Sequence, residues 1–174
     1  MAAPPMPACP AAPCRADPPV PAPADDVDRI MAVMAVAFDP EFGEAWTRGQ
    51  LESALILGSA HYRLIAASGT EPPPGGEAAG FALVRTLFDE DELLLFAVAP
   101  QWRGRGLGRA LLEQVLADAR ARGGRRMLLE MRRGNSAERL YRSFGFTQIG
   151  MRPDYYRGIN NIRCDALTFA CPLE

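Results

Sequence analysis

The 174-residue sequence has one histidine, His61, and no CxxC or Cys–His spacing relates its four cysteines at 9, 14, 164 and 171. A multi-histidine site cannot be built from one chain, and the thiols lack the clustering that holds zinc, so no metal is expected. Free thiols in a reducing compartment are the plain reading. No stretch approaches the ~20 apolar residues a membrane-spanning helix needs. A basic start followed by an unbroken apolar core is also missing, which argues against a secretory leader and for the cytoplasm. There is no excess of positive charge either. The formal net charge is -2, so the whole-molecule field does not favour direct nucleic-acid binding.

What is present suits one soluble globular domain. Apolar residues make up 48% and charged residues 23%, ordinary values for a globular domain of this length. The first 24 residues differ, holding nine prolines and eight alanines. Proline lacks the amide proton that helices and sheets use, so residues 1–24 are expected to form a disordered tail and residues 25–174 a single domain.

From Asp25 the pattern turns helical, with Val27, Ile30, Met31, Met34 and Ala35 on one face. Thr47 suits the cap of a second helix reaching towards Leu57. Residues 61–67 and 80–87 read as strands of a hairpin across a turn-rich connection. Residues 93–98 (LLLFAV) are apolar at every position, which predicts a central strand covered on both faces. A helix over about 106–122 ends at Gly123-Gly124, followed by a strand over 126–131, a short helix over 136–143, and strands beginning near 148 and 165. The order α-α-β-β-β-α-β-α-β-β defines a mixed α/β layer with one right-handed crossover. His61 is expected to start a strand and take no part in chemistry.

The strongest local signal is Arg103-Gly104-Arg105-Gly106-Leu107-Gly108, between the central strand and its helix. The first amides of a helix have no intrahelical partners and share the positive end of its dipole. Glycine lets a ligand approach that backbone closely. Such a turn suits linked phosphates, with Arg103, Arg105 and Arg109 adding charge. A Walker loop is excluded by the missing Gly-Lys-Ser/Thr, and the dinucleotide fingerprint GxGxxG is only half matched.

Residues 96–112 (FAVAPQWRGRGLGRALL) resemble the cofactor motif of the GCN5-related N-acetyltransferases, Arg/Gln-x-x-Gly-x-Gly/Ala, filled here by Arg103, Gly106 and Gly108. The stretches 42–46 (FGEAW), 129–132 (LEMR), 140–146 (LYRSFGF) and 154–156 (DYY) extend the likeness over nearly all of residues 25–170. Within the superfamily the resemblance is to the bacterial branch that acetylates the N-terminal alanine of a small-subunit ribosomal protein. It implies a mixed central sheet flanked by helices with a splayed central strand pair, and acetyl-CoA as donor. Backbone groups of Phe96, Ala97 and Val98 would pair with the pantetheine arm, and amides from Gly104 to Arg109 would hold the pyrophosphate. A bulge near residues 97–99 would open the slot.

The same resemblance implies roles for side chains. An α-amine has a pKa near ~8 and attacks only when free. Glu130, interrupting an apolar strand end, is the expected general base, acting directly or through water. Tyr141 would protonate the departing thiolate, or else simply pack with Leu140 and Phe144. Asn135 fits an N-cap with Glu138 completing a capping box. The family's matching asparagine also touches the cofactor arm, but Asn135 stands six residues before Tyr141 where the family has seven. Trp46, Tyr155 and Tyr156 resemble residues lining the peptide slot, and Arg152 would meet an acidic group on the acceptor. The expected acceptor is a protein N-terminus. A lysine side chain, a small amine, or a non-catalytic acyl-CoA sensor are the alternatives.

Overall fold

The computed structural model describes residues 25–58, 60–158 and 163–173; the Pro/Ala-rich stretch with Cys9 and Cys14 lies outside them. Helices α1 (Asp26–Ala37) and α2 (Arg48–Ile56) come first, then strands β1 (Ala60–Ile65), β2 (Gly80–Leu87) and β3 (Glu90–Val98). Helix α3 (Leu107–Ala121), β4 (Arg126–Arg132), α4 (Glu138–Ser143), β5 (Thr147–Arg157) and β6 (Arg163–Pro172) complete the order. Short 3-10 turns follow α1 and β3, at Pro40–Phe42 and Pro100–Trp102. The expected element order holds.

Capping explains the helix starts. Asp25 accepts the amide of Asp28 at 2.7 Å, and Thr47 forms a full capping box with Gln50. Helix α1 buries Ile30, Val33 and Met34, so Val33 takes the place on the apolar face that periodicity gave to Ala35. The expected box at Asn135 does not form. Ala137 is the N-cap residue of α4, the Asn135 Oδ1 accepts the Ala137 amide at 2.9 Å, and Glu138 turns to Arg142 at 2.8 Å. Asn135 closes a turn ahead of the helix, because the connection from β4 needs residues 136 and 137 to change direction first.

The six strands lie in the order β1-β2-β3-β4-β6-β5. Only β3 and β4 run parallel, joined over the sheet by α3. One face packs beneath α3 and α4 through Leu111, Leu112, Met127, Phe146 and Phe169. The other packs beneath α1 and α2 through Ile30, Met34, Leu51, Phe81 and Leu83. Each fully buried side chain of this size contributes ~1.5–3 kcal/mol relative to exposure. Strand β3 is therefore central and doubly covered, as its unbroken apolar run predicts.

The splay is present, but its bulge is not where it was expected. Pairing of β3 with β4 stops at Leu93↔Leu129. At the same level the β2–β3 register passes from Val84↔Leu93 to Leu83↔Leu95, leaving Leu94 as the extra residue. A bulge flips the side-chain parity of its strand. Leu93 accordingly packs under α3, whereas Leu95 and Ala97 pack under α1 and Phe96 and Val98 turn towards α3. The bulge thus lies at Leu94 rather than at 97–99. A run with apolar residues at every position carries no alternation to reveal where parity changes.

Candidate active site

Beyond Leu93 the β4-facing edge of β3 has no strand partner among the described residues. The Ala99 amide bonds the Ala79 carbonyl at 2.9 Å. Antiparallel pairs alternate between bonded and non-bonded positions, so Ala97, two residues back and opposite Phe81, directs its own amide and carbonyl to β2. The open edge belongs to Phe96 and Val98. The Val98 carbonyl already accepts the Arg103 Nε at 2.9 Å, and the Arg103 guanidinium also bonds the Ala37 carbonyl at 2.9 Å. Arg103 ties the end of β3 to the end of α1.

The turn into α3 is exposed from Arg103 to Gly106. Among the described residues, the first amide to bond back is that of Ala110, to Gly106 at 3.0 Å. The amides of residues 104–109 donate to no backbone carbonyl of the described residues. Gly104 and Gly106 hold φ values of 73° and 81°, and a Cβ on either would meet nothing within 4 Å. The turn forms a cradle of backbone amides at the positive end of a 15-residue helix. Gly108 differs: a Cβ there would touch Leu140, Phe96 and Val98 at 3.5–3.9 Å, so it spaces α3 from the sheet. The Arg105 guanidinium lies over Trp102 at 4.9 Å. That of Arg109 reaches Ser143 at 3.2 Å and Phe144 at 5.0 Å. Neither side chain is among those lining the cleft beside the turn.

That cleft, of about 550 Å³, runs between the open edge of β3 and the loop after β4, past Val98, Trp102, Gly106 and Asn135. The buried indole N–H of Trp102 has no acceptor among the described residues. A polar arm with a diphosphate head fits this combination: open strand groups, an orphan donor, then a row of free amides. Replacing Gly106 with alanine is expected to raise the KM for such a ligand roughly tenfold or more. A side chain at φ 81° is strained, and its methyl enters the cradle; a titration of ligand affinity checks this.

A second cleft of about 500 Å³ adjoins the first. It gathers Trp46, Glu130, Tyr141 and, from β5, Arg152, Tyr155 and Tyr156, from four separate segments. Tyr141, on α4, has its ring in the core, edge-on to Phe96 at 6.0 Å and Phe146 at 5.7 Å. Burial and then the charge of Glu44 push its phenol well above the usual tyrosine range. The packed ring of Tyr141 is present, and its hydroxyl, kept protonated by that burial, belongs to a residue lining the cleft. Tyr156 is raised in the same direction, by burial first and then by Glu130 and Glu44.

Arg152 does not stand free for an acceptor. Its guanidinium bonds the Glu130 carboxylate through Nε at 3.0 Å and through a second, closer nitrogen. It also stacks on Tyr155 at 3.9 Å. The hydrogen bond to Glu130 is the first cause holding the Arg152 pKa above its ordinary value. What delivers it is an irregularity in the β5–β6 ladder, where Arg152↔Ala166 is followed by Tyr156↔Cys164. Pro153, Asp154 and Tyr155 together oppose Asp165, with Asp154 at φ 54° and its amide on the Asp165 carboxylate at 3.2 Å.

Glu44 was not singled out by sequence reasoning, although it stands inside the FGEAW stretch. Its side chain is 15% exposed and lies 3.6 Å from the Arg132 Nε, beyond hydrogen-bond reach. Burial, only partly offset by Arg132, raises its carboxyl above the usual range. The signal available in sequence was a carboxylate between a glycine and an alanine, too common to stand out. Elsewhere, His61 is the second residue of β1, outside both clefts, and Cys171 is buried with its thiol on the Phe144 carbonyl at 3.3 Å. No group of three or more metal-binding side chains occurs among the described residues, and no helix there is long and apolar enough to cross a membrane.

A mixed sheet splayed beside a glycine turn of free amides defines an acyl-transferase type of fold. The chain belongs to the acetyltransferase (GNAT) domain family, which its residues 60–148 match. It is similar to the ribosomal protein bS18-alanine N-acetyltransferase of Haemophilus influenzae, with 35% identity over 94 residues. That match spans 54% of this chain and 64% of the relative, just under two thirds of the latter's length. The crystal structure of the ribosomal-protein-S18-alanine N-acetyltransferase from Escherichia coli superposes with a TM-score of 0.70 at 28% identity, over 86% of this chain and 88% of that one. The yncA protein of Salmonella typhimurium, solved with its cofactor acetyl-CoA, is 25% identical with a TM-score of 0.55, over 73% of this chain and 72% of that one.

Proposed function

We propose that this protein transfers the acetyl group of acetyl-CoA to the N-terminal α-amine of a protein, in particular a small-subunit ribosomal protein, within a ternary complex. The observation that carries the reading is the open edge of β3 running into the unpartnered amides of residues 104–109. Phe96 and Val98 would align the pantetheine arm, and the amides from Gly104 to Arg109 would take the diphosphate. The bound thioester supplies an activated acetyl group.

The chain's own residues do the rest. Trp46, Tyr155 and Tyr156 offer flat faces to an extended peptide, and the clefts meet so that its amine arrives beside β3. Glu130, steadied by Arg152, takes the amine proton directly or through water. Tyr141 keeps its proton across the working range because its phenolate would be buried, so it can deliver that proton to the departing sulfur. Direct attack by the amine needs no protein nucleophile, and among the described residues the thiols of Cys164 and Cys171 lie outside both clefts. The protein acceptor is supported by the cleft's aromatic lining and by what the H. influenzae and E. coli relatives are named for.

The test is mass spectrometry of three acceptors incubated with acetyl-CoA and the enzyme: N-terminal peptides of small-subunit ribosomal proteins, an N-terminally blocked lysine peptide, and a small diamine. A gain of 42 Da (one acetyl group) at the α-amine alone is expected. Acetylation of only the lysine peptide or diamine would overturn the acceptor, and no saturable acetyl-CoA binding would overturn the reading as a whole.

A further inference from the structure

Donor and acceptor occupy adjoining clefts and must react where these join. Four residues line both: Phe38, Glu44, Phe96 and Asn135. Glu44 alone among them carries a charge. Glu130, by contrast, borders only the acceptor cleft and already binds Arg152.

Three features leave Glu44 available. Its backbone is fixed between the turn at Pro40–Phe42 and the capped start of α2. Its one cationic neighbour, Arg132, keeps 3.6 Å away and rests on the Phe42 ring at 3.6 Å. The Arg132 Nε is buried and makes no hydrogen bond among the described residues, so the two form an ion pair without a direct hydrogen bond. A half-buried carboxylate with no hydrogen bond is costly unless a donor reaches it. Burial, only partly offset by Arg132, raises its carboxyl pKa above the usual range.

We infer that Glu44 is an acceptor-binding residue, holding the α-ammonium of the incoming protein N-terminus at the junction of the two clefts. The inference rests on the acetyl-transfer reading above. An ammonium has three donors in a compact head, and it satisfies the carboxylate that Arg132 leaves unbonded. Glu130 then draws the proton from an amine whose position Glu44 has set. The arrangement separates binding of the charge from removal of the proton, which one carboxylate already paired to Arg152 serves less well.

The test uses the full-length protein saturated with coenzyme A and two peptides, one beginning with alanine and one identical but lacking the α-amine. Calorimetric titration of E44Q is expected to show roughly tenfold or greater loss of affinity for the amine peptide, the scale of a hydrogen bond to a charged group. Affinity for the amine-free peptide should change less than about twofold, a difference that isolates the pairwise interaction. In steady state the loss appears in the KM for peptide more than in kcat. E44D, which keeps the charge, should recover part of the affinity and guards against a folding defect in E44Q. Equal losses for both peptides, or none for either, would overturn the inference while a wild type that still acetylates α-amines leaves the proposed function standing. A wild type that binds coenzyme A and acetylates no α-amine overturns both.

Discussion

Tyr141→Phe is expected to lower kcat by ~10²- to 10⁴-fold, the range for loss of a positioned proton donor, while acetyl-CoA affinity stays unchanged. The substitution removes one oxygen and keeps the ring that packs edge-on against Phe96 and Phe146. Loss of activity with native stability therefore reports the hydroxyl alone. A second readout follows from linkage. Burial raises the Tyr141 pKa above its unfolded value, so the stability tied to the neutral phenol is complete below pH ~10. It is lost as pH rises from there through the higher folded value. Wild type should thus destabilise more steeply above pH ~10 than Tyr141→Phe, with Tyr156 common to both. A variant with unchanged kcat at saturating substrates would confine Tyr141 to the core.

Glu130→Gln is expected to reduce kcat/KM for the peptide by ~10²-fold or more at pH 7. The deficit should narrow as pH rises. With an amine pKa near ~8, about a tenth of the acceptor is free at pH 7 and most of it by pH 9. The unaided reaction can therefore regain up to about tenfold. The variant also releases the Arg152 guanidinium, which Glu130 now binds at 3.0 Å. Comparison with Arg152→Ala separates the two effects, since that change frees Glu130 and leaves its carboxylate intact. A pH profile for Glu130→Gln parallel to wild type would show that Glu130 handles no proton.

The fold was legible where local chemistry and burial agree. Thr47 with Gln50, the glycines before α3, and the apolar run of β3 each specify their element within a few residues. The site was legible in part, since Glu130, Tyr141, Trp46, Tyr155 and Tyr156 do share one cleft. Asn135 reaches that cleft too, but from a turn instead of a helix cap. Arg103 lines the neighbouring cleft while its guanidinium is spent on two carbonyls. Arginine charge near a glycine turn says nothing of where a long flexible side chain will find its acceptors.

The sequence alone determined the order of elements, the glycine turn ahead of α3 and the residue types available for the proposed chemistry, because each depends on neighbours within a helical turn or a strand. Only the tertiary structure decided that Leu94 is the extra residue of the bulge, that Arg152 reaches Glu130 across 22 positions, and that Glu44 stands where two clefts meet. Those outcomes depend on strand register and on approaches between distant segments, and pairing energies between strands leave no periodic mark in either chain segment.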